Sequence, residues 1–142
     1  MHLRVAGGAL FACLSVVSGC GAKAPDVAAR LTAAQEYEQG VADFAKRDYA
    51  TAEGHLSRAL ENRLSGDRYA DASVKRAVCW GASKKFDEAL AELKKLEAGA
   101  PNMDQVLAAR SFVLKKQNKA AESRTALAAA RRFNSAVQEF KD

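Results

Sequence analysis

The sequence predicts an all-helical fold, and three observations support this prediction. The 142 residues include only two prolines. Ala, Leu, Lys, Glu and Arg, which favour helices, dominate the chain between them. Apolar residues also recur at intervals of three and four, as in Tyr37, Val41 and Phe44, so they share one helix face. We therefore expect one all-α domain over residues 32–142.

The amino-terminal segment contains a lone Arg4, an apolar run from Val5 to Val17, and the box Val17-Ser18-Gly19-Cys20. The run is too short to cross a hydrocarbon core of about 30 Å comfortably, which favours removal after export. An aliphatic residue, two small residues and a cysteine resemble the lipobox of bacterial lipoproteins. The resemblance implies that residues 1–19 are a signal peptide and that Cys20 carries a covalent lipid.

This resemblance also implies a location. Lipoproteins of this kind carry several acyl chains on the first cysteine, and more than one chain is needed for stable anchoring. The residue after Cys20 is Gly21, not the Asp associated with retention in the inner membrane. We therefore expect anchoring in the outer membrane, facing the periplasm. The alternative is an ordinary secretory signal cut after Ala22, which would remove Cys20.

Residues 20–31 are interpreted as the lipidated cysteine followed by a flexible tether, which would reach about 35 to 40 Å when fully extended. Thr32-Ala33-Ala34-Gln35 matches a capping box, which predicts a helix from Thr32 to about Lys46. Asp48 is a suitable cap for a second helix that ends near Asn62.

Internal repetition organises the rest of the chain. Three segments share one spacing of apolar or small residues, and each has a small residue nine positions before its first member. The first members of the segments are 37 and then 34 residues apart. The three sets are Tyr49, Ala52, Leu56 and Ala59; Phe86, Ala89, Leu93 and Leu96; and Ala120, Ser123, Leu127 and Ala130. The preceding small residues are Gly40, Ala77 and Ser111.

This pattern resembles the tetratricopeptide repeat, a helix-turn-helix unit of 34 residues that stacks into a solenoid. The resemblance implies about three degenerate repeats. The box Ser135-Ala136-Val137-Gln138 predicts a C-terminal capping helix, in which Val137 and Phe140 would cover the last repeat. Alternatively, the helix that begins near Ala120 continues through this segment. The alternative fold is an irregular Ala-rich helical bundle.

No arrangement of residues in the sequence predicts catalysis. His55 has no Cys or carboxylate neighbour at metal-ligand spacing, and Cys79 is more typical of a small core residue than of a reactive thiol. We expect no enzyme, no metal, no cofactor beyond the lipid on Cys20 and no small-molecule substrate. The formal net charge of +5 is mild, and no basic stripe is interleaved with aromatic residues, so nucleic acid is not an expected partner.

Binding of a partner protein is the remaining expectation. In tetratricopeptide repeats the first helices line a concave groove for a partner polypeptide, although each residue carried over here could equally belong to the core. The candidates are Tyr37, Val41, Phe44, Val74, Val78, Phe112 and Lys115. The expected function is a lipid-anchored adaptor or scaffold in an envelope machine for secretion, pilus assembly or outer-membrane assembly. The alternatives are a regulator of a peptidoglycan enzyme and a structural envelope lipoprotein.

Overall fold

The computed structural model describes residues 25–142, with side chains from residue 27 onward. The described residues form helices and no strand, so the all-helical prediction is confirmed. The helices are α1 (Pro25–Ala45), α2 (Tyr49–Glu61), α3 (Gly66–Ala82), α4 (Phe86–Leu96), α5 (Met103–Lys116) and α6 (Ala120–Phe133). The predicted signal peptide and the predicted lipobox with Cys20 lie outside the described residues.

The first helix begins earlier than expected. α1 starts at Pro25, where the missing proline N–H costs nothing because the first backbone donors of a helix are unpaired anyway. Thr32 lies inside the helix, and its hydroxyl donates a hydrogen bond to the Ala28 carbonyl at 3.0 Å instead of capping a terminus. The prediction of a flexible tether through residues 25–31 was therefore wrong.

The second helix follows the sequence prediction closely. The Asp48 carboxylate accepts a hydrogen bond from the Thr51 backbone N–H at 3.2 Å, as a capping residue should. This hydrogen bond holds the pKa of Asp48 below its usual value. α2 ends at Glu61, one residue before the expected end.

The helices pair into three hairpins with the same kind of turn. In each turn the middle residue has a positive φ: 64° at Arg47, 63° at Lys84 and 63° at Asn118. The following residue donates its N–H to a carbonyl five positions back, at 3.0, 2.8 and 2.9 Å respectively. This pattern satisfies carbonyls that the end of a helix would otherwise leave unpaired.

The hairpins stack in two layers. α1 packs against α3 and α3 against α5, whereas the backbones of α2, α4 and α6 stay more than 8 Å apart, Cα to Cα, within the described part of the chain. α2 packs against both α1 and α3, and α4 against both α3 and α5. We call the accessible surface that α1, α3 and α5 form together with Tyr49, the first residue of α2, the odd-helix face.

Close helix contacts depend on small residues. A Cβ atom added to Gly40 would lie 2.8 Å from Leu56 Cγ, and one added to Gly81 would lie 2.9 Å from Val113 Cγ2. Both distances are shorter than van der Waals contact, so these positions set how closely the helices approach. The main core centres on α3 and includes fully buried Val78 together with Leu93 from α4.

Residues 134–142, which we call the C-terminal segment, follow α6 and contain no helix. Asn134 is extended, with φ −148° and ψ 106°. Its side-chain oxygen accepts from the Ala136 N–H at 3.1 Å, which favours a local turn over helix. Both the predicted capping helix and the continuation of α6 were therefore wrong. Val137 is nevertheless buried with Ala108 and Ala130, so the segment does cover the last hairpin.

Candidate functional site

The structure separates the predicted groove residues into two groups. The first group is accessible: Tyr37, Val41 and Phe44 of α1 are partly buried, and Lys115 of α5 is exposed. The second group is buried in the core and consists of Val74, Val78 and Phe112. Only the first group can contact a partner directly. The second group packs in the core between the helices.

Tyr37 joins α1 to α3 on this face. Its hydroxyl donates to the Asp71 carboxylate at 2.7 Å, and the Arg68 guanidinium carbon lies 5.4 Å from the ring centroid. Burial raises the pKa of Tyr37 well above its usual value, and the hydrogen bond to Asp71 raises it further. The hydroxyl therefore remains a donor at neutral pH. Lys75 forms an ion pair with the same Asp71.

An aromatic cluster lies at the end of α1. The Phe44 ring is 5.5 Å from the Tyr49 ring at an interplanar angle of 62°, and 6.0 Å from the Phe140 ring at 85°. These edge-to-face arrangements are favourable for aromatic pairs. The Lys75 ammonium lies 5.9 Å from the centroid of Phe44. Phe140 therefore brings the C-terminal segment onto the odd-helix face.

Polar contacts hold the end of the C-terminal segment. The Tyr49 hydroxyl donates to the Lys141 carbonyl, and Arg47 donates to the main-chain oxygen of Asp142. The Asp142 carboxylate pairs with Lys116. The segment thus reaches from the last hairpin to the turn between α1 and α2.

Cations surround the aromatic cluster. Arg47 lies just after α1, Lys75 projects from α3, and Lys116 is the last residue of α5. Cations near helix carboxyl ends are favoured by the negative end of the helix dipole. The Lys116 ammonium also lies 5.6 Å from the ring centroid of Phe112. The site therefore combines an apolar centre with a basic rim, which suits an aromatic residue and an acidic group.

Sequence reasoning missed several residues of this site. Arg47, Lys116 and Phe140 were not candidates, and Tyr49 was assigned to the repeat pattern alone. Phe140 carried the only usable signal, because a large apolar residue near the end of a polar segment needs a place to pack. The sequence placed Phe140 over the last hairpin, but nothing local in it indicated that the ring also packs beside Phe44 of α1.

A second polar cluster lies between α1 and α2. His55 Nδ1 is 2.7 Å from Glu36 Oε2, and Arg58 Nε donates to the same oxygen at 2.9 Å. The hydrogen bond with His55 holds the pKa of Glu36 below its usual value, and Arg58 lowers it further. The fold thus gives His55 a carboxylate neighbour from another helix, which sequence spacing could not show. This cluster ties the first hairpin together.

Cys79 is a fully buried free thiol in the cluster that contains Ala52 and Leu56. Burial raises its pKa to about 12, so the nucleophilic thiolate is scarce at neutral pH. The expectation that Cys79 is a core residue is confirmed.

Across residues 25–142, no three His, Cys, Asp or Glu side chains are grouped so that they could hold a metal ion. The helices in the same range all fall short of the length and apolar character that a membrane crossing requires. The chain has no significant match among protein-family models, curated proteins or solved structures.

Proposed function

We propose that this chain is a lipid-anchored adaptor of the bacterial envelope that binds a partner polypeptide on its odd-helix face. In this proposal the three hairpins are tetratricopeptide-like repeats, and Cys20 carries the lipid that anchors the domain to the outer membrane on its periplasmic side. Partner binding relies on shape and charge, and no bond is made or broken.

One observation carries the proposal: a non-helical polypeptide segment already lies on the odd-helix face. Phe140 packs beside Phe44, and Tyr49 donates a hydrogen bond to a main-chain carbonyl of the segment. A surface that accepts a side chain and a backbone carbonyl in this way has what is needed to accept a segment of another protein. The half-buried aromatic groups provide the kind of anchor that dominates binding energy in protein interfaces.

The early start of α1 adds a geometric argument. Four residues lie between Cys20 and Pro25, and the five Cα-to-Cα steps from one to the other can span at most about 18 Å. With the lipid on Cys20, the first helix would begin close to the membrane surface. This distance favours a partner that is itself at or near the membrane, such as a subunit of an envelope machine.

Site-specific photo-crosslinking in intact cells tests the proposal. A photoreactive residue at position 37 replaces partly buried Tyr37, which contacts α3 on the odd-helix face. The matched control is position 91, where Ala91 is exposed on α4 in the other layer. We expect mass spectrometry to identify one envelope protein captured from position 37 and not from position 91. Equal capture from both positions, or none from either, would contradict an adaptor that uses this face.

The anchor has a separate test. Cys20→Ala should abolish incorporation of a labelled fatty acid, because the acylated sulfur is lost, and it should release the protein from the membrane or leave it as precursor. Cys79→Ala is the matched control, since its thiol is buried and should not be acylated. Labelling that survives Cys20→Ala would exclude this anchor and leave the binding face untouched.

A further inference from the structure

The C-terminal segment occupies the surface that the proposed function assigns to a partner. Phe140 fills the space beside Phe44, and the Asp142 carboxylate engages Lys116 on the basic rim. A partner cannot contact the same atoms while the segment is in place. Either the segment is a permanent part of the fold, or it leaves when a partner arrives.

We propose that the C-terminal segment is a built-in competitor for the odd-helix face. It is displaced by a partner segment of the same chemistry, an extended stretch with an aromatic residue and an acidic side chain a short distance after it. This inference rests on the proposed function, since it takes the odd-helix face to be the partner site.

The contacts of residues 140–142 are those of a reversible ligand, whereas Val137 near the start of the segment is buried against the last hairpin. The Asp142 side chain is 73% exposed in its ion pair with Lys116, and such exposed pairs contribute little and weaken with salt. Phe140 is only partly buried, although it bridges the α3 core and the cluster around Val137. No helix in the segment has to unfold for it to leave.

The chemistry of the site defines what can replace the segment. The aromatic surface of Phe44 and Tyr49 accepts a ring edge-on. The Tyr49 hydroxyl and Arg47 both donate to main-chain oxygens, which any extended peptide presents regardless of its sequence. Lys116 requires an acidic group nearby. These three features select for backbone extension, an aromatic anchor and negative charge.

Competition of this kind has a predictable size. A covalently attached segment has an effective concentration of about 1 mM when its linker is short and flexible. A free peptide with an intrinsic Kd of about 100 µM would then bind the intact protein about tenfold more weakly than a protein with the segment released. Because the segment is covalently attached, a partner displaces it only if the partner binds more tightly or is present at a higher concentration.

The experiment uses a fluorescein-labelled peptide with the sequence of residues 134–142 as its probe. Fluorescence anisotropy measures binding to the mature chain in nonionic detergent and to the Phe140→Ala variant. We expect the variant to bind the probe about tenfold more tightly, because its own segment competes poorly. Phe133→Ala is the matched control, since Phe133 is 65% exposed, and it should bind the probe like the wild type.

Two further variants test the chemistry and protect against misfolding. Asp142→Lys places a cation against Lys116 without removing any apolar contact, so it should also increase probe affinity, by a smaller factor. Lys116→Glu combined with Phe140→Ala should weaken probe binding about two- to fivefold relative to Phe140→Ala alone, since the acidic group loses its partner. Circular dichroism melts confirm that each variant is folded.

Two outcomes would overturn the inference. Equal affinity of the probe for the wild type, for Phe140→Ala and for Asp142→Lys would mean that the segment does not compete. No binding to any folded variant would mean that the face does not select this chemistry. The proposed function is judged separately by capture from position 37, which does not depend on the probe, so the failure of one can be distinguished from the failure of the other.

Discussion

The centre of the molecule and its C-terminal segment are held in place by different forces. Around α3, Val78 and Leu93 are completely buried and contact apolar neighbours on several helices. The C-terminal segment depends on partly buried Phe140, buried Val137, and polar contacts that are open to solvent. Burial of apolar surface is the dominant stabilising term, while exposed ion pairs contribute little. The contrast predicts that the end of the segment, from Phe140 onward, detaches more easily than the hairpins unfold.

The largest expected effect lies in the centre. Leu93→Ala should destabilise the protein by about 2 to 5 kcal/mol, because it removes a fully buried side chain and leaves a cavity between α4 and its neighbours. Urea denaturation followed by circular dichroism measures this loss. A change below about 1 kcal/mol would mean that the centre is not the source of stability, and the comparison would fail.

The close approach of α1 to α2 provides the second prediction. Gly40→Ala should destabilise the protein by about 1 to 3 kcal/mol, because the new methyl group would lie 2.8 Å from Leu56 Cγ. Gly54→Ala is the matched control on α2, where the nearest atom, at 3.5 Å, is the end of the Arg58 side chain. That substitution should stabilise the helix by about 0.5 to 1 kcal/mol. Thermal melts in which both variants gain stability, or both lose it, would contradict the close packing described at Gly40.

The third prediction concerns the segment itself. Phe140→Ala should cost only about 1 kcal/mol, since the ring is partly buried and loses an edge-to-face contact with Phe44. Phe133→Ala should change stability by less than about 0.5 kcal/mol. Urea denaturation should show the same cooperative transition for both variants. A cost from Phe140→Ala as large as that from Leu93→Ala would make the segment part of the core.

The smallest expected effect is a dependence of the protein's stability on pH, caused by the Glu53 carboxylate of α2. Glu53 accepts hydrogen bonds from Trp80 Nε1 and Lys85 Nζ, both at 2.8 Å. Partial burial raises the pKa of Glu53, but these donors outweigh it and hold the pKa below its usual value. Because the folded pKa is lowered, the stabilisation is present above about pH 4.5 and is lost as pH falls through the folded value.

Glu53→Gln provides the measurement for that effect. The variant should be less stable than the wild type at pH 7, by less than about 1 kcal/mol because Lys85 is half exposed. The difference should shrink as the pH falls through the lowered pKa of Glu53, because the wild-type carboxylate then becomes protonated. Urea denaturation midpoints of both proteins, measured from pH 7 downward, give this difference in stability. A difference that is independent of pH would refute the role of the ionised carboxylate.

Local signals in the sequence predicted local structure well. Asp48 predicted the start of α2 because a capping side chain bonds to a donor three residues away. The same reasoning failed at Thr32, because Pro25 begins a helix as readily as it interrupts one, and no helix breaker lies between them. A cap-like sequence is decisive only where the chain before it cannot be helical.

The binding face was only partly predictable. Helical periodicity placed Phe44 and Val78 among the same candidates, although one is accessible and the other is completely buried. Periodicity shows which residues share a face, and it does not show whether another element covers that face. The contact between Tyr49 and Lys141 joins positions 92 residues apart, so no local pattern could reveal it.

Fluorine NMR of the intact chain with 4-fluorophenylalanine tests the central claim most directly, with resonances assigned by single substitutions. In the free protein, the Phe140 resonance should differ from that of exposed Phe133. An excess of unlabelled peptide with the sequence of residues 134–142 should move it towards the Phe133 position, while the partly buried Phe86 resonance stays in place. If the Phe140 resonance instead moves only when the whole protein unfolds, the C-terminal segment is a permanent part of the core and the account is wrong.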